Sequence, residues 1–279
     1  MKKISRRSFL AAAGLSVAAL ALTACGGSSA STASSVASSA ASSEAASTSA
    51  AAGELTTVEA GKLTMATNAA FPPYEMTTDA GEFEGIDIDT AKVIAEKLGL
   101  ELQIDDMDFD AALLSVQQGK ADIVMAGVTV TDERKAVMDF SDSYATGIQS
   151  IIVPNDSEIA SPDDLAGKTI GTQRGTTGYI YCSDDFGDEN VVAYDDGLTA
   201  VQALNNGQVD AVVIDNAPAQ EFVAANPGLK VLDTSYAEED YAIGMAKGSS
   251  LEAAVNAALE ELKADGTLQS IVDKYITAE

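Results

Sequence analysis

The amino-acid sequence predicts an α/β protein divided into two lobes, and three observations support this prediction. After residue 60, short apolar segments alternate with amphipathic segments that carry helix start and stop signals, which is the pattern of α/β proteins. The chain of 279 residues is at the size where one hydrophobic core usually divides into two. A unit of helix end, glycine, aspartate and strand occurs at residues 118–124 and again at 206–212, which indicates two lobes of related construction.

Seven short apolar runs predict the strands. They lie at 62–66, 101–104, 123–126, 150–153, 169–172, 191–194 and 211–214. Amphipathic segments that end at a glycine suited to the left-handed conformation predict helices at 90–98, 111–118 and 198–206. Asp89 or Thr90 is the predicted cap of the first of these helices. Ser161 and Pro162 begin a further helix, and two closing helices are predicted at 251–263 and 268–276.

The amino-terminal residues predict an export signal. Basic residues up to Arg7 precede an apolar run at 9–22, which is shorter than the roughly 20 residues that a membrane-spanning helix needs. Residues 1–24 are therefore the predicted signal peptide. Residues 5–10 resemble a twin-arginine signal, but ordinary Sec signals also carry paired basic residues, so both export routes stay open.

The segment after the signal predicts a lipid anchor and a tether. Residues 22–25 (LTAC) resemble a bacterial lipobox, which implies that Cys25 is diacylated and holds the protein at the extracytoplasmic face of the cell membrane. Residues 26–53 are almost wholly Ser, Ala and Thr and cannot form a core. We therefore expect residues 25–60 to be a flexible tether between membrane and folded part.

Composition excludes several functions. The formal charge of −27 disfavours binding to nucleic acid and to anionic membrane surfaces. The chain contains no histidine, which removes Ser/His and Cys/His catalysis and any histidine-built zinc site, and we expect neither a metal ion nor a cofactor. Cys182 is the only cysteine besides Cys25, so a lipidated chain forms no internal disulfide, and Cys182 is expected to be a buried thiol without a role.

One arginine stands where a carboxylate could be bound. Arg134 follows a predicted strand end that is rich in small and hydroxyl residues. A guanidinium grips a carboxylate with two parallel hydrogen bonds, and the backbone near Ala126 and Gly127 and the Thr129 hydroxyl offer further donors. Taken alone, Arg134 is also compatible with an exposed ion pair to its acidic neighbours.

Four motifs in this order resemble one family, the polar amino-acid solute-binding proteins of bacterial ABC importers (family 3). They are ATNAAFPPYE at 66–75, GIDIDTAKVIAEKLG at 85–99, the arginine segment at 109–141, and DAVVID at 210–215. The resemblance covers nearly everything after residue 60. It implies a type II periplasmic-binding-protein fold with a cleft between the lobes and two hinge strands.

The resemblance also implies lobe boundaries and a way of working. The first lobe would comprise residues 61–147 and 242–279, and the second lobe would be inserted between them at 148–241. A ligand that contacts both lobes binds the closed form better and shifts the population toward it. We expect a monomer that hands its ligand to a membrane permease driven by ATPase subunits.

The family pattern assigns the parts of an amino-acid pocket. Arg134 with the backbone and hydroxyls of the first lobe would hold the ligand carboxylate, and the glycine-threonine loop that opens a helix of the second lobe would add amides. Asp215 would receive the ammonium group, although a helix N-cap is the alternative role for this aspartate. The residues implied to contact the ligand are Asn68, Phe71, Phe109, Ala126, Gly127, Thr129, Arg134, Gln173, Thr176, Thr177 and Asp215.

The side-chain wall bears on ligand identity. Phe71 and Phe109 match positions that sandwich the ligand, whereas Tyr74 is expected in the core. Asn68 stands where relatives often carry an acid, so the sequence favours a neutral polar amino acid such as glutamine. Basic amino acids are the alternative.

An enzyme on the same fold, similar to cyclohexadienyl dehydratase, is a further alternative. It needs a general acid of raised pKa in the cleft, and the sequence assigns no carboxylate to that role. We therefore expect a binding protein and not an enzyme. A sensory or adhesin role also stays open.

Overall fold

A computed structural model describes residues 55–276, so the predicted signal peptide, Cys25 and most of the predicted tether lie outside the described residues. The strands are β1 Lys62–Thr67, β2 Ala70–Phe71, β3 Glu75–Thr77, β4 Phe83–Glu84, β5 Glu101–Asp106, β6 Ile123–Val124, β7 Met138–Phe140, β8 Ala145–Pro154, β9 Ile170–Gln173, β10 Val191–Tyr194, β11 Ala211–Asp215, β12 Leu229–Val231, β13 Ala237–Tyr241 and β14 Gly244–Ala246. The helices are α1 Ile86–Leu98, α2 Phe109–Gln117, α3 Asp132–Val137, α4 Thr177–Phe186, α5 Gly197–Asn205, α6 Asn216–Ala225, α7 Glu252–Ala264 and α8 Thr267–Tyr275.

All seven predicted strands form, but the predicted cap of the first helix is wrong. Helix α1 begins at Ile86, so Asp89 and Thr90 lie inside it, and Gly85 is its N-cap. The burial of Ile86 and Thr90 explains the early start, because the first turn already packs into the core. Gly85 is required there, since its φ is 133° and a Cβ atom would collide with the Tyr74 carbonyl.

The first lobe is built on a five-stranded sheet with the order β5-β1-β6-β14-β7. Strands β5, β1 and β6 are parallel, and β14 pairs antiparallel with both β6 and β7. Helices α1, α7 and α8 pack together, and helix α2 packs on β1 and β14. A small antiparallel sheet of β2, β3 and β4 is attached to this lobe and carries part of the ATNAAFPPYE motif.

The second lobe is built on a sheet with the order β10-β9-β11-β8-β12, in which β13 also pairs with β8. Its strands alternate between two apolar layers. Ile151 and Val153 of β8 pack in a cluster with Cys182 of α4, whereas Ile152 belongs to the cluster that contains Val201 of α5. Cys182 is fully buried, and its burial raises the thiol pKa to about 12.

Two hinge strands connect the lobes, as the predicted fold class requires. The chain leaves the first sheet after β7 and enters the second as β8, and it returns through β13 into β14. Strands β8 and β13 pair antiparallel with each other, with Glu239 opposite Gly147. The lobe boundaries at 147/148 and 241/242 stay a prediction.

The repeated sequence unit has the same form in both lobes. Gly119 and Gly207 both adopt positive φ after a helix, at 65° and 67°. Asp122 accepts a hydrogen bond from the Thr64 amide at 2.7 Å, and Asp210 accepts one from the Thr169 amide at 2.8 Å. In each lobe the aspartate side chain therefore holds the backbone of a neighbouring segment by a hydrogen bond. This explains why both copies of the repeated unit contain an aspartate.

Candidate functional site

One pocket between the lobes collects all the sequence-predicted ligand residues. It is narrow, with about 10 Å³ of space open to the centre of a water-sized sphere. Its lining consists of the eleven predicted residues and one more, Glu75; the full set is Asn68, Phe71, Glu75, Phe109, Ala126, Gly127, Thr129, Arg134, Gln173, Thr176, Thr177 and Asp215. The side chains come from both lobes, so the pocket exists in this form only while the lobes are together.

Arg134 lies in the pocket and not in an exposed ion pair. It is 9% exposed, and its backbone amide is held by the N-cap hydroxyl of Thr131 at 3.1 Å. Its guanidinium donates to the Thr129 carbonyl at 2.7 Å and to the Gly175 carbonyl of the other lobe at 3.1 Å, and it stands 5.4 Å from the centre of the Phe109 ring. Burial lowers the arginine pKa, yet an arginine stays charged at neutral pH. This is a fixed cation in a pocket wall.

The second lobe supplies the start of a helix to the same pocket. Gly175 has a φ of 75° and turns the chain from β9 toward α4. Thr176 is the N-cap of α4, and its hydroxyl accepts from the Tyr179 amide at 3.3 Å. The first-turn amides of this ten-residue helix carry a partial positive charge, which favours an anion beside Thr177.

Asp215 provides the buried anion at the end of β11. Its side chain does not cap α6, although the residue occupies the N-cap position. One carboxylate oxygen accepts from the Tyr241 hydroxyl and the other from Gln149 Nε2 at 2.8 Å. Burial raises the pKa of Asp215 to about 7, and the charge of Glu239 adds to this effect. A cationic group of a ligand would restore the ionised form.

Asn68 and Gln173 bind each other across the cleft. Gln173 Nε2 donates to Asn68 Oδ1 at 2.8 Å, and Asn68 Nδ2 donates to the Met107 carbonyl at 2.9 Å. Both are buried. The pair joins the lobes at the side-chain wall.

Glu75 lines the pocket but was not among the predicted ligand residues. It is 0% exposed, and its side chain is within hydrogen-bonding range of Asp87, to which the protonated carboxyl group of Glu75 donates. Burial raises its pKa well above the usual range, and the nearby charges of Asp87 and Asp215 raise it further. The sequence does contain an indication that Glu75 has a special position. It ends the FPPYE run and is the one charged residue in an otherwise apolar segment.

Asp87 forms a second layer behind Glu75. Its Oδ2 accepts from the Gly127 amide at 3.0 Å and from the Tyr144 hydroxyl at 2.8 Å. Burial raises the pKa of Asp87 to about 6. The Gly127 amide therefore already donates to a carboxylate of the protein. It is not available as the predicted donor to a ligand carboxylate.

Glu239 is a further buried acid, and it was not among the predicted site residues. It lies on β13, and its Oε2 accepts from the hydroxyls of Thr129 and Thr177. Within the described part of the chain, no group of three or more Cys, Asp or Glu side chains is arranged to hold a metal ion.

Two lobes on two hinge strands, with a pocket between them that holds a buried arginine and a buried aspartate, define a type II periplasmic binding protein. The chain matches the family of bacterial extracellular solute-binding proteins, family 3, over residues 63–278. It belongs to this family. No helix in residues 55–276 is long and apolar enough to cross a membrane.

Several characterised proteins are similar to this chain. The L-cystine-binding protein of Escherichia coli (strain K12) is 32% identical over 225 residues, which are 79% of this chain and 85% of that protein. The structure of the arginine-, lysine-, histidine-binding protein of Geobacillus stearothermophilus has 35% identity and a TM-score of 0.75, and the match covers 78% of this chain and 96% of the other. An ancestral arginine-binding protein bound to glutamine has 41% identity and a TM-score of 0.75, with coverage of 78% and 99%.

Proposed function

We propose that this protein binds a free α-amino acid in the interlobe pocket and delivers it to an ABC-transporter permease for uptake. The observation that carries the proposal is the charge pattern of the pocket. Arg134 and the start of α4 form a positive end, and Asp215 forms a buried negative site. A carboxylate and an ammonium on one carbon atom complement these two ends.

Two pocket residues, Asn68 and Glu75, favour different kinds of ligand side chain. Asn68 is neutral, which favours glutamine, but both of its polar groups already have partners in the protein. Glu75 is buried in the same pocket beside a second buried acid, Asp87, which accepts a hydrogen bond from it only while Glu75 is protonated. Two buried carboxyl groups this close are not both ionised unless a cation lies beside them. We therefore propose a basic amino acid, with L-arginine as the first ligand to test and glutamine as the alternative.

The known ligands of relatives fit this range. The Geobacillus stearothermophilus protein is named for arginine, lysine and histidine, and the ancestral arginine-binding protein was crystallised with glutamine. Proteins similar to this chain therefore bind both basic and neutral polar amino acids, and Glu75 is the side chain on which our proposal of a basic ligand depends.

The test is a thermal-shift panel of the twenty amino acids on the full chain. A ligand at 100 times its Kd adds about 2.7 kcal/mol of stability. L-arginine is expected to give the largest shift, and Glu75→Gln is expected to remove the preference for arginine over glutamine. Glu82→Gln, at an exposed position, is the matched control and should leave the preference unchanged. A larger shift with glutamine than with arginine would reject the basic ligand, and no shift with any amino acid would reject amino-acid binding.

We propose that the folded part is attached to the extracytoplasmic face of the cell membrane through Cys25 and the 25–60 tether. The lipobox-like residues 22–25 support this proposal. Replacing Cys25 by serine should release the protein from the membrane fraction into the medium or periplasm. If Cys25→Ser stays in the membrane fraction, the anchor is not at this cysteine.

An enzyme remains the second candidate because of one observation. The pocket contains a carboxyl group of raised pKa, Glu75, which is the kind of general acid that a dehydratase on this fold would require. Incubating the protein with a cyclohexadienyl carboxylic acid and following loss of water by NMR tests this candidate. No turnover, together with an amino-acid shift in the panel, would leave binding as the function.

A further inference from the structure

A carboxylate behind the pocket receives hydrogen bonds from both lobes. Glu239 is 7% exposed, and its Oε2 accepts from Thr129 Oγ1 at 3.0 Å and from Thr177 Oγ1 at 2.9 Å. Thr129 follows β6 in the first lobe, whereas Thr177 is the first residue of α4 in the second. The two hydroxyl oxygens are 3.5 Å apart. One carboxylate oxygen therefore links the two walls of the cleft.

The same oxygen is also tied to the hinge. Gln149 of β8 donates through Nε2 to Glu239 Oε2 at 3.0 Å and to Asp215 Oδ2 at 2.8 Å. Glu239 itself lies on β13, the second hinge strand, which pairs with β8. Because Thr129 and Thr177 belong to different lobes, their hydroxyls can meet at Glu239 only when the lobes are closed.

We propose that Glu239 is a positioning residue for closure, which stabilises the closed arrangement by holding one threonine hydroxyl from each lobe. The residue does not line the pocket, so it acts through Thr129 and Thr177. A ligand that needs the closed form has an apparent Kd that rises as the closed fraction falls. Loss of this carboxylate should therefore weaken binding without removing any direct ligand contact. The ligand part of this inference rests on the proposed function.

A rival interpretation is that Glu239 competes with the ligand carboxylate for the same donors. The geometry favours positioning. The Arg134 guanidinium donates to the carbonyls of Thr129 and Gly175, and Glu239 acts on it as a nearby charge and not as the acceptor of these hydrogen bonds. A competitor would also stand in the pocket, whereas Glu239 lies outside its lining. The two interpretations predict opposite changes in the Kd for the ligand. Removal of a positioning residue raises the Kd, whereas removal of a competitor lowers it.

The experiment compares Glu239→Gln with Glu238→Gln in the full chain. Glu238 is the exposed neighbour on the same strand and serves as the matched control. Single-molecule FRET between dyes on the two lobes measures the closed fraction without ligand, and isothermal titration calorimetry measures the Kd for L-arginine. Glu239→Gln should lower the closed fraction and weaken arginine binding by about 10- to 100-fold, the range for hydrogen bonds to a charged group. Glu238→Gln should change neither.

Substitutions of Thr177 separate closure from a general loss of folding. Thr177→Ser keeps the hydroxyl and should keep the closed fraction, whereas Thr177→Val should lose it. Adding Thr177→Val to Glu239→Gln should change little beyond Glu239→Gln alone, because the carboxylate that the Thr177 hydroxyl donates to is already gone. An unchanged closed fraction in Glu239→Gln, or tighter arginine binding, would overturn the proposal. If no amino acid binds, the proposed function fails while the ligand-free FRET comparison still decides whether Glu239 holds the lobes together.

Discussion

The buried carboxyl group of Asp215 should make the ligand-free protein less stable as pH rises. Its pKa is raised from 3.8 to about 7, mainly by burial. The folded protein therefore binds more protons than the unfolded chain between about pH 4 and pH 7, so the free energy of unfolding falls across that window. At about 1.36 kcal/mol for each pH unit, the contribution of Asp215 reaches at most about 4 kcal/mol.

Replacing Asp215 by asparagine isolates this contribution. Asparagine is neutral at every pH, and the Tyr241 hydroxyl can turn to accept from its amide group. We expect Asp215→Asn to match the wild type in stability near pH 4 and to exceed it by up to about 4 kcal/mol at pH 8. Asp87 titrates in both proteins and cancels in the difference, whereas Glu75 does not cancel, because the charge of Asp215 raises its pKa.

The assay is urea denaturation of both proteins at pH values from 4 to 8 without ligand. Asp79→Asn, at an exposed turn, is the control and should run parallel to the wild type at all pH values. A difference between Asp215→Asn and the wild type that does not grow with pH would refute the argument from burial. A variant that is less stable at pH 8 would show that the hydrogen bonds to the carboxylate outweigh its desolvation.

Three further changes have defined outcomes. Arg134→Lys loses the planar fork that reaches the Thr129 and Gly175 carbonyls, so calorimetry should record a Kd for L-arginine about 10- to 100-fold higher; an unchanged Kd would contradict the role of the guanidinium. Gly147→Ala places a Cβ 2.5 Å from the Tyr241 ring and should destabilise the fold by about 1–3 kcal/mol in thermal denaturation, whereas a change at Gly228, which has open space, should be much milder. The Cys182 thiol, buried and with a pKa of about 12, should resist iodoacetamide in the folded protein and react after unfolding; rapid native labelling found by mass spectrometry would contradict its burial.

The regular part of the fold was predictable because local signals and tertiary packing agree. The apolar strands and the glycines that end helices are visible in the sequence, and the structure forms them where they were expected. Helix α3 was not predicted, since its six residues, DERKAV, show no apolar periodicity. Short strands such as β7 and β14 were also missed, because they are stabilised by pairing with each other and not by a local pattern.

The candidate site was predictable only through the family motifs. They named eleven residues that line one pocket, although their contact with a ligand stays a prediction. Glu75 and Glu239 were missed because a glutamate is normally exposed, and burial depends on neighbours that are distant in sequence. For Glu239 a weak signal existed. In AEEDY, alternation places Glu239 on the same face as Tyr241, with Glu238 and Asp240 on the exposed face.

The place of β14 in the first sheet limits the order in which the two sheets can be completed along the chain. This strand lies between β6 and β7, yet it is made after every residue of the second sheet. Without β14, the strands β6 and β7 have no strand that pairs with both of them, so the sheet of the first lobe is incomplete. The inserted lobe can therefore complete its own sheet first, and a chain cut after Tyr241 would carry a finished second lobe beside an unfinished first one.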